Sequence, residues 1–151
     1  MPSLTIKTTP EEFRLNSTKF NVATVHGVIE PIKLRPVEAF KSLQSTDHPA
    51  FIYESKSHEE GASRYSYICP TVRTIIRTGP DESSGDVDPI ETLRKKFKSQ
   101  SVSPIANLPA LITGAFGFIG YEAIKHFEPS LKNLPKDPTG SPVSAFAFPR
   151  E

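Results

Sequence analysis

The sequence predicts an α+β protein, with short antiparallel strands flanked by short helices, and three observations carry the prediction. Two strand-like runs, Ala50 to Ser55 and Arg64 to Ile68, lie near enough in sequence to pair as a hairpin with a long tip. Proline-bearing helix starts recur, at Thr9-Pro10, Pro36 and Asp88-Pro89. Glycines stand at 114, 117 and 120 between bulky apolar side chains. Glycine accepts close approach of another backbone or ring, so the triplet predicts a tight chain crossing inside a core.

Composition bounds the rest. A chain of 151 residues can bury a core, and fifteen prolines against eight glycines imply many loops and short elements. Eighteen basic and seventeen acidic residues leave a net charge of +1, which gives no electrostatic case for nucleic acid or an anionic membrane as partner. A single cysteine, Cys69, excludes an intramolecular disulfide and suits a reducing compartment. No stretch has the length of a signal peptide or a bilayer span, so the expectation is a cytoplasmic chain.

In order, residues 1–20 read as an N-terminal arm with a short helix, and 21–151 as one domain. Thr9 caps the first helix, Pro10 suits its first position and Glu12 completes a capping box; Asn16-Ser17-Thr18 should end it. Asn21 to Ile29 predicts a strand with a weak point at Gly27. Pro36 opens a second helix with Val37, Phe40 and Leu43 on one side. After the hairpin, Thr71 to Thr78 is β-branched with polar residues interleaved and predicts a strand. Gly79 to Asp86 has loop composition. Asp88, Pro89 and Glu91 then start a third helix. Ile90, Leu93 and Phe97 line one face, and Arg94, Lys95, Lys96 and Lys98 give a solvated basic end that suits the helix dipole.

Leu111 to Thr113 predict the end of an apolar strand leading into the glycine crossing. Past Tyr121 the pattern turns helical, with Ile124 and Phe127 on one face and Pro129 as the stop. Ala145-Phe146-Ala147-Phe148 begins a strand with no chain left to finish it, which predicts a domain incomplete at its C-terminus.

Few residues suggest chemistry. The three glycines lack the G-x-G-x-x-G spacing and no Gly-Lys-Ser/Thr follows, so nucleotide binding is unsupported. His26, His48, His58 and His126 are scattered, and Cys69, between Ile68 and Pro70, reads as a buried structural thiol. Glu122 and Glu128 lie six apart and fit helix-surface roles better than paired acid/base work. The hairpin end is richer. Glu54 and Ser55 close one strand and Arg64 opens the next, which brings carboxylate, hydroxyl and guanidinium to one edge if the strands pair antiparallel. Two readings stand from the residues: an exposed ion pair, or a cradle for a free amino acid. In the cradle Glu54 takes the ammonium, Arg64 the carboxylate and Ser55 a further hydrogen bond, with Phe51 and Tyr53 as apolar wall.

These residues also resemble a family. Tyr53-Glu54-Ser55 … Arg64-Tyr65-Ser66-Tyr67-Ile68 is similar to the Leu-Glu-Ser … Arg-Tyr-Ser-Phe-Ile block of the N-terminal region of anthranilate synthase component I. Thr74 to Pro80, then Asp88 to Leu93, resemble its next segments in order. Gly114 to Pro129 resembles its Gly-Gly-x-x-Gly-Tyr-x-x-Tyr-Asp-x-Val-Arg-x-Phe-Glu-Pro, with a Phe127-Glu128-Pro129 ending that leans toward the fungal branch. Glu122 stands for the usual Asp, Lys125-His126 for the usual Arg and its neighbour, Gly114-Ala115 for a double glycine, and Cys69 for a glycine.

The resemblance implies sandwich-like antiparallel sheets flanked by helices, packed in the whole protein on a downstream chorismate-binding domain absent here. It implies conversion of chorismate to anthranilate and pyruvate by the complete enzyme, with Mg²⁺ and with ammonia from a glutamine amidotransferase subunit. This chain itself would carry no catalytic residue, metal or cofactor. It implies that Glu54, Ser55 and Arg64 belong to a tryptophan feedback site. Two other readings remain: the N-terminal region of aminodeoxychorismate synthase, and a stand-alone amino-acid-binding or degenerate module.

Overall fold

Local hydrogen bonds set the helices, and all three carry proline at the first turn. In α1 (Pro10–Lys19) the Thr9 hydroxyl accepts from the Glu12 N–H at 3.1 Å. The polar run Asn16-Ser17-Thr18 does not end this helix, contrary to the sequence expectation. The Ser17 and Thr18 hydroxyls fold back onto the carbonyls of Arg14 and Leu15, so they are satisfied within the helix. In α2 (Pro36–Leu43) the Glu38 carboxylate returns to the Arg35 N–H and guanidinium. In α3 (Pro89–Lys98) one Asp88 oxygen accepts from the N–H groups of Ile90 and Glu91, while Glu91 pairs with Arg94.

The structure, a computed structural model, describes residues 2–54, 65–105, 113–133, 135 and 137–149. It is α+β, with short strands in small sheets, antiparallel where their register is set out below, and no closed barrel among the described residues. The chain divides into two compact units: Met1–Val72 with Ser101–Thr113 and Pro149–Glu151, and Arg73–Gln100 with Gly114–Phe148.

The first unit holds two ladders. Strand β1 (Ser3–Ile6) pairs antiparallel with β2 (Gly27–Glu30), Leu4 opposite Ile29. The strand foreseen over Asn21 to Ile29 is thus confined to its end. Residues 21–24 are held instead by a distant partner. The Val22 N–H donates to the Ser101 carbonyl at 3.1 Å, the Ser103 N–H to the Val22 carbonyl at 2.9 Å, and the Thr24 N–H to the buried Ser103 hydroxyl at 2.8 Å. Strand β3 (Phe51–Glu54) pairs antiparallel with β4 (Ser66–Cys69), with α2 packed against both.

In the second unit, β5 (Val72–Thr78, whose first residue belongs to the first unit), β6 (Phe116–Ile119) and β7 (Ser144–Pro149) form a sheet in the order β5-β7-β6. The strand foreseen at Ala145 to Phe148 is the central strand of this sheet, Ser144–Pro149. Its alternation sends Ser144, Phe146 and Phe148 inward, all buried. Phe97 of α3 meets Phe148 at 6.0 Å between ring centroids, and Lys96 extends its ammonium over the same ring at 5.7 Å. The buried Thr78 and Ser144 hydroxyls satisfy each other at 2.8 Å. Between β5 and α3, the loop turns at Gly79 and Gly85, both at positive φ, and closes with a hydrogen bond from the Gly79 N–H to the Gly85 carbonyl.

The glycine stretch is itself a strand, β6, rather than a crossing after one; Thr113 lies outside any strand, and residues 111–112 lie outside the described residues. Gly117 sits opposite Phe146, and a Cβ there would fall 1.9 Å from the Ala145 carbonyl oxygen. Solvent reaches this backbone from one side, yet the direction a side chain would take is closed by β7. Two turns of 3₁₀ helix follow, Tyr121–His126 and Pro129–Leu131. Pro129 therefore opens a turn instead of stopping one, and Phe127 is exposed. No helix among the described residues is long and apolar enough to cross a membrane.

Candidate functional site

The β3–β4 ladder pairs Phe51 with Cys69, Ile52 with Ile68, Tyr53 with Tyr67 and Glu54 with Ser66. Glu54 is thus the last residue of β3 in the described ladder, on the face it shares with Ile52. The Ser66 hydroxyl donates to Glu54 Oε1 at 3.3 Å, a long and weak bond. Successive side chains alternate across a strand, so Phe51 and Tyr53 fall on the opposite face. They do not wall the carboxylate as the sequence reading had them. Tyr53 stacks on Tyr67 at 6.1 Å, and Tyr67 on Tyr65 at 6.2 Å, which forms an aromatic row along that other face.

Of the three residues foreseen as an amino-acid cradle, Glu54 is exposed at the end of the ladder, while Ser55 and Arg64 lie outside the described residues. Ser66 is a polar neighbour that sequence reasoning passed over. The signal was available, since any antiparallel register with Glu54 near the tip brings a residue from Tyr65 to Tyr67 opposite it.

The remaining candidates resolve into structural roles. Among the glycines, Gly117 admits the close approach of β7, and Gly120 donates its N–H to the Val143 carbonyl at 2.8 Å as it starts the 3₁₀ turn. Gly114 lies just before β6 and is half-buried. Cys69 is buried and free, its thiol directed at the Thr71 carbonyl at 3.1 Å. Glu128 caps the second 3₁₀ turn through the N–H and hydroxyl of Ser130. His26 joins Thr8 in a reciprocal pair, the His26 N–H donating to the Thr8 hydroxyl at 3.0 Å. Asp86 holds Lys125 at 2.8 Å and lies 3.2 Å from His126 Nε2, without the alignment of a hydrogen bond. Among the described residues no three His, Cys, Asp or Glu side chains converge as metal ligands.

Geometry and fold together define a region of an α+β protein, and the sequence relatives below are components of an enzyme. Over most of its own length the chain is homologous to part of anthranilate synthase component 1. It is 32% identical over 85% of its length to the probable anthranilate synthase component 1 of Schizosaccharomyces pombe. It is 31% identical over 81% to anthranilate synthase component 1 of Saccharomyces cerevisiae, and 36% over 83% to that of Streptomyces coelicolor. The chain spans about a quarter of the length of these relatives: 25%, 25% and 23%, a coverage consistent with an N-terminal portion. No protein-family model matches the chain, and no solved structure matches it significantly.

Proposed function

We propose that this chain is the N-terminal, tryptophan-sensing region of an anthranilate synthase large subunit. Glu54, Ser55 and Arg64 hold the tryptophan zwitterion, and the region carries no catalytic residue of its own. The observation that supports the reading most is the β3–β4 register. It leaves the Glu54 carboxylate exposed at the end of the described ladder, next in sequence to Ser55 and ten residues before Arg64. An ammonium there would meet a carboxylate whose described contact is one weak hydroxyl bond.

In this reading the rest of the subunit, beyond the matched quarter, supplies the chorismate site and its Mg²⁺. A glutamine amidotransferase, the second component that the relatives' name implies, supplies ammonia. The exposed apolar side chains of the first unit, among them Leu4, Ile6, Ile29, Ile32 and Leu34, favour such a large covering domain. Tryptophan would bind one arrangement of region and domain more tightly than the other, and so lower synthesis of its own precursor.

The test is tryptophan inhibition of the complete enzyme, read as anthranilate formed from chorismate. Ser55→Ala and Glu54→Ala should each raise the inhibitory concentration by at least about tenfold while leaving uninhibited turnover unchanged. Inhibition unaltered in both variants would remove the assignment.

A further inference from the structure

We propose that Ser83 is a phosphorylation site, modified by a protein kinase that reads acidic residues following the serine. The hydroxyl stands at the tip of the loop between β5 and α3. Ser83 and Ser84 are the two central residues of a turn closed by donation from the Gly85 N–H to the Glu82 carbonyl at 2.8 Å. Both serines are exposed, and neither hydroxyl has a hydrogen-bond partner among the described residues.

The charges along this segment select the class of enzyme. Asp86 stands three residues after Ser83 and Asp88 five, with Asp81 and Glu82 just before it. No lysine or arginine occurs from Thr78 to Leu93, and Ser84 rather than a proline follows Ser83. A kinase with a basic substrate groove is complementary to such a segment. One with an acidic groove, or with a pocket for a following proline, is not. The acid three residues on also separates the two serines, because Ser84 has Val87 at that place.

The fold selects Ser83 among the hydroxyls that share this spacing. They are Thr8, Thr9, Ser57, Thr78 and Ser83. Thr8 is 8% exposed and tied to His26, and Thr78 is 1% exposed and bonded to Ser144. The Thr9 hydroxyl is engaged as the cap of α1. Ser57 lies outside the described residues. Among the described residues, Ser83 alone joins the spacing to an exposed hydroxyl that holds no other contact.

In the transfer, Ser83 Oγ attacks the γ-phosphorus of a nucleoside triphosphate. The Oγ–P bond forms as the bridging P–O bond to the β-phosphate breaks. The nucleoside diphosphate leaves with that electron pair, and the hydroxyl proton passes to the kinase's own base. The product adds a charge of about −1.5 to −2 at neutral pH to a loop whose Asp86 holds Lys125 at 2.8 Å. The site lies in the second unit and does not rest on the tryptophan reading.

The test is phosphate transfer to the folded full chain from γ-labelled ATP, with the modified residue located by mass spectrometry. An acid-directed kinase should label Ser83 at least about tenfold faster than a base-directed or a proline-directed one. Ser83→Ala should lose at least about nine-tenths of the label, and Ser84→Ala should keep it. Asp86→Asn, with the wild-type amide spectrum retained elsewhere, should slow labelling about tenfold although the acceptor is intact. Label at Ser57 or Ser84 in place of Ser83, equal rates with the three kinases, a rate unchanged in Asp86→Asn, or no label on the folded chain would overturn it.

Discussion

The two units are built from similar local parts and differ in what they bury. The second closes a core of its own: Phe146 and Phe148 of β7, Val143 beside it and Ala123 of the 3₁₀ turn are all buried, with Phe97 of α3 laid against Phe148. The first buries, among hydrophobic residues, Cys69 and Val72, while every residue of β1 and β2 is exposed. A two-stranded ladder with both faces in water is marginal by itself. Strand pairing and helix capping therefore exist in both; the first unit lays α2 against its β3–β4 ladder but leaves β1 and β2 exposed, whereas the second buries the inner face of its central strand. Hydrogen bonds position the first unit; buried apolar area stabilises the second.

The largest blow to that contrast is Gly117→Ala. Its methyl group would overlap the Ala145 carbonyl oxygen and approach the Phe146 Cα at 2.8 Å, both backbone atoms of the central strand that cannot swing aside. The expected cost is roughly 3 kcal/mol or more. Amide exchange should then accelerate throughout β5, β6 and β7, with β1 and β2 little affected. An alanine variant with wild-type protection along β7 would show that the second unit does not depend on this close approach.

A smaller pair of substitutions measures the contrast directly. Phe148→Ala removes a ring that is 6% exposed and should cost about 3 kcal/mol; Leu4→Ala trims a side chain that is 62% exposed and should stay within about 0.5 kcal/mol in denaturant unfolding of the chain. In the complete enzyme the comparison sharpens. If a covering domain buries β1 and β2, Leu4→Ala becomes costly there and only there. Equal costs in both settings would show that Leu4 stays in water.

The same contrast explains what the sequence disclosed. Helix starts were legible at Thr9 and Asp88 because a cap and the N–H that donates to it lie within three residues. The β3–β4 hairpin was legible because its two runs are close neighbours. The rest depended on partners remote in the chain. Val22 and Thr24 are bound to residues about 80 positions away, which no local pattern announces. Ser3 to Ile6 was missed as a strand because its apolar alternation covers only two residues. The central place of the Phe146-Phe148 strand was not legible because its neighbours, β5 and β6, arrive earlier in sequence with intervening elements. At the candidate site the polar and charged groups of Glu54, Ser55 and Arg64 were visible as a set. The face on which Glu54 stands, away from Tyr53, depends on period-two geometry that the set alone did not respect.

The smallest effect separates local electrostatics from packing. Among the described residues, each unit has one carboxyl held low. Glu38 in the first is lowered by the Arg35 guanidinium and then by the Arg35 N–H; Asp137 in the second is lowered by the Thr139 hydroxyl and then its N–H. A depressed folded-state pKa adds stability above the unfolded value, near 4.5 for Glu38 and 3.8 for Asp137, and loses it as pH falls through the folded value. Neither carboxyl is buried, so the contribution is slight in either unit. Their causes still differ, one being a charge and the other neutral donors. Raising the salt to about 1 M shortens the screening length to about 3 Å and should move Glu38 toward its ordinary value in an NMR titration, with Asp137 nearly still. Arg35→Ala should reproduce the salt effect at Glu38. Equal movement of both carboxyls would mean that the Arg35 charge is not what holds Glu38 down, and would leave packing as the only tested difference between the units.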